Sequence, residues 1–266
     1  MSEERAPDLA PRMRELASRL NVLADQIHTG NGTDPEEIDQ VVSQLRQLRI
    51  QAFGRKAGWH RAAIGGAGPM WDQIADLQFE FMVAAGLRPE HFLLDIGCGS
   101  LRGGTRFIPY LDAGHYYGVD RNAKVIEAGL TEELTPGLRA EKQPEVAVMD
   151  DFGFERLGQR FDFALAQSVF THLPLNGIMR CLVNTARVLR PEGRLYATFL
   201  RNSDKRNLEP VEFGAGRSFY DTDPYHYDVE TLACVTRGTG MELKDVSDWG
   251  HPRGGHMLLF VPSSAS

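Results

Sequence analysis

A glycine-rich turn directly follows an apolar segment and carries both an acid and a cation. The stretch "LLDIGCGSLRGG", Leu93 to Gly104, places Asp95 at the end of the apolar run and Gly97 and Gly99 just after it. Glycines permit a tight turn and leave backbone N–H groups that no Cβ atom shields. A helix predicted to begin near Arg102 would point its N-terminus, which favours anions, at the same place. The stretch therefore predicts a binding site for a ligand with an anionic group.

Two further acids end the next two apolar segments. Asp120 ends "YYGVD", and Asp150 opens the acidic pair in "MDDF". A carboxylate at the first position can accept two hydrogen bonds from a ribose diol. A carboxylate at the second can accept one from an adenine amino group. Together with the glycine turn, these acids predict a ligand that contains a nucleoside.

Three histidines in predicted loops are candidate general bases, because a neutral imidazole can take up a proton near neutral pH. They are His172 in "SVFTHLP", His226 in "DPYHYD" and His251 in "DWGHPRG". His172 is preferred because it follows the apolar segment that ends at Gln167; the alternative is that it caps a helix starting at Pro174. Asp221 and Asp223 could hold a divalent cation, or simply form a solvated turn.

Apolar segments alternate with helical ones from residue 90 onward, which predicts a parallel, doubly wound α/β sheet with helices on both faces. The predicted strands are Phe92–Ile96, Tyr116–Val119, Val146–Met149, Phe161–Ala166, Leu195–Leu200, Met241–Val246 and Met257–Val261. The predicted helices lie at 102–110, 122–134, 152–158, 174–190 and 228–238. In such sheets ligands bind beyond the carboxyl ends of the strands, at the point where the strand order reverses. The glycine turn falls there.

The order and spacing of these motifs resemble class I S-adenosylmethionine-dependent methyltransferases over residues 70–261. The first motif is "LLDIGCGSLRGG", Asp120 is the second-strand acid, Asp150 the adenine acid, and "RVLRPEGRLYATF" the fifth-strand signature. The resemblance implies a Rossmann-like sheet of about seven strands, the last antiparallel, and S-adenosylmethionine as cofactor. Leu101 departs from the family because a third glycine is usual there. Arg102, next to it, is interpreted as a bidentate clamp for the cofactor carboxylate.

The predicted cofactor contacts lie in the glycine turn, at the strand ends and on the helix before the first strand. They are Trp71, Asp95, Gly97, Gly99, Ser100, Arg102, Asp120, Arg121, Asp150, Asp151 and Gln167. Trp71 could equally be a packing residue.

A finer resemblance, carried by "GHYYGVD", "SVFTHLP" and "SDWGHPRGGHMLLF", is to a bacterial subgroup often associated with carbohydrate modification. It implies an O-methyltransferase that acts on a hydroxyl of a small molecule, a sugar or an oligosaccharide. The predicted substrate contacts are Trp59, His60, Tyr225, Tyr227, Trp249 and Arg253. These side chains suit a phenol nearly as well, so a phenolic or natural-product acceptor is one alternative. A non-catalytic, cofactor-binding interaction protein is another.

The chain before the main domain divides into two predicted parts. Residues 1–53 predict a hairpin of two amphipathic helices, since Leu9, Met13 and Leu16 begin a helical apolar stripe and Asp34 marks a second helix start. The stripes could pack on the main domain or form a homodimer. Residues 54–89 predict a lid and the helix leading into the methyltransferase domain at 90–266.

Composition and charge argue against several partners. The formal net charge is −7, so a basic surface for nucleic acid is not expected. No apolar stretch is long enough to span a membrane, and the first residues lack a secretory signal pattern. Cys98, Cys181 and Cys234 match no metal or disulfide spacing. We therefore expect a cytoplasmic protein with reduced thiols. The finer resemblance, in turn, implies a small-molecule or oligosaccharide substrate.

Overall fold

The computed structural model describes residues 58–65, 68–202, 208–213 and 216–263, and isolated positions between residues 12 and 44. The chain divides into two compact units, Met1–Ala67 and Gly68–Ser266.

The first unit is helical wherever it is described between residues 12 and 44. Leu16, Leu23 and Val41 are buried, and the guanidinium of Arg19 pairs with the carboxylate of Glu37. A short helix, α1, spans Trp59–Ala63. Most positions of the predicted hairpin, and residues 54–57 and 66–67 of the predicted lid, lie outside the described residues. The domain division, the lid and the homodimer therefore stay predictions.

The second unit is built on a mixed sheet. Its described strands are Leu93–Ile96 (β1), Tyr116–Asp120 (β2), Glu145–Val148 (β3), Phe161–Ala166 (β4), Leu189–Arg201 (β5), Val211–Phe213 (β6), Gly216–Ser218 (β7), His226–Tyr227 (β8), Met241–Asp248 (β9) and His256–Pro262 (β10). The sheet runs β3-β2-β1-β4-β5-β10-β9, with β8 paired to β5, while β6 and β7 form a separate hairpin. Strands β1 to β5 are parallel, and β10 is antiparallel to both neighbours. The predicted doubly wound sheet with an antiparallel last strand is confirmed.

Helices cover both faces of this sheet. They are Pro69–Ala84 (α2), Gly104–Tyr110 (α3), Ala123–Ala128 (α4), Pro136–Lys142 (α5), Leu175–Val188 (α6) and Val229–Val235 (α7). Several begin at a capping side chain: Asn122 accepts from two backbone N–H groups of α4, and Asp228 accepts from Thr231 in α7.

The core has two halves because β1 is buried on both faces. Leu94 packs in one cluster with residues of α6 and α7. Leu93 packs in the other, with Phe107 of α3 and Met82 of α2. A strand covered on both sides is mostly apolar, as Leu93, Leu94 and Ile96 are here. This pattern is why the sequence predicts a strand before the glycine turn.

Several local predictions differ from the structure, and some elements were not predicted. Helix α3 begins at Gly104, so Arg102 lies in the turn before it, not in its first turn. The 152–158 segment contains only a 3₁₀ turn, Phe154–Leu157. Strand β5 begins at Leu189, six residues before the predicted start at Leu195. Helix α5 and the β6–β7 hairpin were not predicted.

Candidate functional site

The glycine turn leaves β1 at the point where the strand order reverses, between β2 and β4. Gly97 and Gly99 have φ angles of 71° and 55°. A Cβ atom on Gly97 would lie 2.5 Å from Cγ2 of Val169 in the loop after β4. Gly97 is therefore required both by its backbone conformation and by the space around it.

Asp120 fixes the turn from the end of β2. One carboxylate oxygen accepts the Gly99 backbone N–H at 3.0 Å, and the other accepts that of Asn122 at 2.8 Å. Burial raises the pKa of this carboxyl above its usual value. Because an ionised carboxylate can accept several hydrogen bonds, Asp120 can hold the turn and still accept hydrogen bonds from the two hydroxyl groups of a ribose diol.

Asp95 is buried at the end of β1. The Tyr116 hydroxyl, from the neighbouring strand, donates to Oδ2 of Asp95 at 2.7 Å. Burial raises the pKa of Asp95 from 3.8 to about 6, against the lowering effect of that hydrogen bond. Sequence reasoning missed Tyr116; only its place in a strand next to β1 hinted at the contact.

Arg102 is a buried cation at the same edge, with 6% of its surface exposed. Its Nη2 donates to Oε1 of Gln167 at 2.7 Å. Among the described residues, its Nε has no hydrogen-bond partner. Burial lowers its pKa to about 10, so the side chain is still charged at neutral pH. A buried guanidinium with an open donor fits an anionic ligand group.

Gln167 links Arg102 to the neighbouring strand β5 through a series of hydrogen bonds. Its Nε2 donates to the Ser168 hydroxyl at 2.8 Å, and the Ser168 backbone N–H donates to the Thr198 hydroxyl of β5 at 2.7 Å. The predicted cofactor residues Arg102 and Gln167 are thus brought together by direct contact.

The remaining predicted cofactor residues have mixed surroundings. Ser100 is fully buried, and Trp71 is buried within α2, while Arg121 and Asp150 are exposed at strand ends. Asp151 makes a bidentate ion pair with Arg156, at 2.8 and 2.6 Å. That pair lowers the pKa of Asp151 below its usual range. The structure therefore gives Asp151 a role in its own loop.

His172 lies in a 3₁₀ turn, Phe170–His172, just beyond β4. Its Nδ1 contacts Oδ1 of Asp223 at 2.5 Å, and about half of its side chain is exposed. The next helix, α6, begins at Leu175 and has no side-chain cap. The alternative that His172 caps this helix is therefore wrong.

The loop that carries Asp223 is docked on the His172 turn. The Tyr225 backbone N–H donates to the Thr171 carbonyl at 2.7 Å. The Tyr227 hydroxyl donates to the Leu173 carbonyl at 2.6 Å, and the two tyrosine rings are stacked. The predicted substrate residues Tyr225 and Tyr227 thus sit beside the predicted base.

His226 points the other way, into the protein. Only 1% of its surface is exposed, and its Nδ1 lies 3.1 Å from the Ser218 hydroxyl. The sequence predicts His226 in a loop. In the structure it belongs to β8, which pairs with β5, and its side chain is buried.

His251, Arg253 and Trp249 lie in the connection between β9 and β10. The Arg253 backbone N–H donates to Nδ1 of His251 at 3.2 Å, and the His251 ring stacks on Trp249. The Arg253 guanidinium contacts the Met70 sulfur at 3.0 Å. Burial, with the charges of Arg102 and Arg253, lowers the pKa of His251 to about 4.

Two predicted substrate residues belong to the first unit. Trp59 and His60 lie in α1, where their rings meet edge to face with centroids 6.2 Å apart, and His60 is buried. In the described part of the chain, no group of three or more His, Cys, Asp or Glu side chains could hold a metal ion. No helix among the described residues is long and apolar enough to cross a membrane.

Comparison with known proteins agrees with this geometry. Residues 94–195 match the methyltransferase domain family. Among solved structures, similarity is found to a magnesium protoporphyrin IX methyltransferase from Synechocystis, with a TM-score of 0.55, 17% identity, and coverage of 81% of this chain and 93% of that one. An S-adenosylmethionine-dependent methyltransferase from Clostridium acetobutylicum gives 0.58 at 12% identity, with 80% and 100% covered. A glycopeptide N-methyltransferase gives 0.54 at 11% identity, with 71% and 94% covered.

At these identities the solved structures establish the fold, while the sequence match establishes the domain type. The matched segment runs from β1 to the middle of β5 and so includes the glycine turn, Asp120, Arg102 and Gln167. Residues 94–195 therefore match a methyltransferase domain, and the second unit has the fold of S-adenosylmethionine-dependent methyltransferases.

Proposed function

We propose that this domain transfers the methyl group of S-adenosylmethionine to a hydroxyl group of a small molecule, and that the acceptor is a sugar or oligosaccharide. The observation that carries the proposal is the contact between His172 and Asp223 just beyond β4. A hydroxyl acceptor must lose a proton as it is methylated, and this pair is built to receive one.

The residues at the carboxyl ends of β1 and β2 fit the cofactor. A side chain at Gly97 would collide with Val169, so glycine lets the turn pack against the loop after β4 and holds the path that the cofactor needs. Asp120 is placed to accept hydrogen bonds from a ribose diol, and the buried Nε of Arg102 can donate to a carboxylate. When bound, S-adenosylmethionine supplies an electrophilic methyl group on a sulfonium.

His172 would act through its Nε2 atom. Asp223 accepts from Nδ1–H, which fixes the neutral ring in the tautomer whose Nε2 has a free lone pair. Nε2 can then take the acceptor's proton, and Asp223 stabilises the imidazolium that results. About half of the His172 side chain is exposed, so an acceptor can reach it.

A sugar acceptor is supported by what surrounds this pair. Tyr225 is partly exposed and offers an aromatic face, backed by the buried ring of Tyr227. Asp223 and the His172 ring offer polar edges. The same features would receive a phenol, so the assay must separate the two acceptors.

The test is methyl transfer from labelled S-adenosylmethionine to monosaccharides, oligosaccharides and, in parallel, simple phenols. Incorporation into a sugar is expected. Incorporation into phenols alone would reject the sugar, and no incorporation into any hydroxyl compound, with the cofactor bound, would reject the O-methyltransferase assignment.

The role of His172 is tested by His172→Ala. We expect turnover to fall by about 10²–10⁴-fold with cofactor affinity unchanged, because only proton transfer is lost. His91→Ala is a matched control, since His91 lies before β1, at the opposite edge of the sheet. A folded His172→Ala protein with near-normal turnover would contradict the assignment.

A further inference from the structure

Buried hydrogen-bond donors without partners mark places where something else completes the structure. Among the described residues, three such donors lie close together on two separate segments: Nε of Arg102, Nε1 of Trp249 and Nε2 of His251. Arg102 belongs to the turn after β1. Trp249 and His251 belong to the connection between β9 and β10, far away in the sequence.

The two segments meet at the carboxyl ends of β4 and β5. Arg102 reaches β4 through its hydrogen bond to Gln167. His251 reaches β5, since a Cβ atom on Gly255 would lie 3.7 Å from the His251 Nδ1 and 3.9 Å from the Phe199 carbonyl oxygen. Because β4 and β5 are neighbours in the sheet, the two side chains lie near each other, and the charge of Arg102 acts on His251.

The protonation of His251 follows from its contacts. Nδ1 accepts the backbone N–H of Arg253, so in the neutral ring the hydrogen is on Nε2. The pKa of His251, lowered to about 4 by burial and by the two arginines, keeps the ring neutral at pH 7. Nε2 is therefore a hydrogen-bond donor. It has no lone pair to accept a proton, which removes His251 as a candidate base.

We infer that His251 is a cofactor-binding residue whose Nε2–H donates to the carboxylate that Arg102 binds. The inference rests on the proposed function, because it assumes that the ligand of Arg102 is the carboxylate of S-adenosylmethionine. It extends the cofactor site to the β9–β10 connection, whose Trp249 ring, stacked on His251, keeps that imidazole in place.

Two ligands and two variants test this. S-adenosylhomocysteine carries the amino-acid end with its carboxylate, whereas 5′-methylthioadenosine keeps the nucleoside and the thioether and lacks that end. His251→Asn keeps an acceptor near the Nδ1 position and loses the Nε2 donor. His251→Gln places an amide N–H near Nε2 and is the matched control.

Calorimetry should show that His251→Asn weakens S-adenosylhomocysteine binding by about 10- to 100-fold, the usual effect of removing one hydrogen bond to a charged group. Binding of 5′-methylthioadenosine should be unchanged, and His251→Gln should recover most of the loss. Equal weakening of both ligands, or no weakening of either, would overturn the inference. If the unsubstituted protein binds neither ligand, the cofactor assignment itself fails.

A measurement on the unsubstituted protein covers the case in which His251→Asn does not fold. With ¹⁵N-labelled histidine, the Nε2–H resonance of His251 should shift when S-adenosylhomocysteine is added and stay in place with 5′-methylthioadenosine. The same shift with both ligands would place Nε2 away from the carboxylate and would also overturn the inference.

Discussion

Replacing Gly97 with alanine should disturb the turn in two separable ways. The first is the backbone: φ at this position is 71°, and an L-residue there costs about 1–2 kcal/mol. The second is a collision, since the new Cβ would lie 2.5 Å from Cγ2 of Val169. Overpacking of this kind typically costs about 1–3 kcal/mol. Gly97→Ala should therefore lower the free energy of unfolding by about 2–5 kcal/mol.

Val169→Ala separates the two contributions because it removes the colliding methyl group. Val169 is only partly buried, so its truncation alone should cost about 1 kcal/mol. In the double variant the collision is gone and only the backbone strain remains. The two substitutions should therefore couple favourably by about 1–3 kcal/mol.

The measurement is urea unfolding of all four proteins, with equal m-values as the check that the folded and unfolded states are comparable. S-adenosylhomocysteine affinity, measured in parallel, should fall in Gly97→Ala and partly return in the double variant. If the two losses of stability add to within about 0.5 kcal/mol, the collision does not exist and the steric argument for Gly97 is refuted.

Two further predictions concern the acids at the ends of β1 and β2. Asp120→Ala should weaken S-adenosylhomocysteine binding by about 1–3 kcal/mol in calorimetry and also lower stability, because Asp120 holds Gly99 and Asn122; unchanged affinity would remove it from the site. Asp95 has a higher pKa in the folded protein than in the unfolded chain, so between these pKa values the folded protein keeps a proton that the unfolded chain releases. The contribution of Asp95 to the free energy of unfolding should therefore fall by about 3 kcal/mol as pH rises from 3.8 to about 6. Above that pH it should stay constant. Urea unfolding of Asp95→Asn should lack this fall, and parallel pH profiles would contradict the buried, raised-pKa carboxyl.

The parts of the fold that the sequence predicted are those set by local patterns. Strand β1 is buried on both sides, and three of its four residues, Leu93, Leu94 and Ile96, are apolar. Gly97 and Gly99 follow the strand directly and mark where it ends. Strand β5 was misjudged at its start because "RPEG" carries a proline and a glycine, which usually mark a turn. In the structure these residues lie near the beginning of a long strand, with Arg190, Pro191 and Glu192 exposed and Gly193 buried.

The contacts within the site were less predictable because they join distant parts of the chain. Arg102 meets Gln167 across 65 residues, and His172 meets Asp223 across 51. No local pattern encodes such pairs. The first follows from β1 lying beside β4. The second follows from β8, just after Asp223, pairing with β5, which is the neighbour of β4. Each residue was a candidate on its own, but only the structure shows that Asp223 contacts a histidine.

Leu101 shows how a departure from a family pattern can leave the path of the chain intact. It stands where a third glycine is usual, and its φ is 64°, so the backbone keeps the conformation that glycine would adopt. The strain costs about 1–2 kcal/mol. The side chain, however, is fully buried in the cluster with Phe107 and Met82, and burying a leucine contributes about 1.5–3 kcal/mol. The burial of the Leu101 side chain therefore offsets the backbone strain and holds the turn against the core. That anchor fixes the backbone just before Arg102, whose guanidinium, in the role we propose, must be held in one place to bind a carboxylate. A glycine at this position would allow the same turn, but it would have no side chain to hold the backbone before Arg102 against the core.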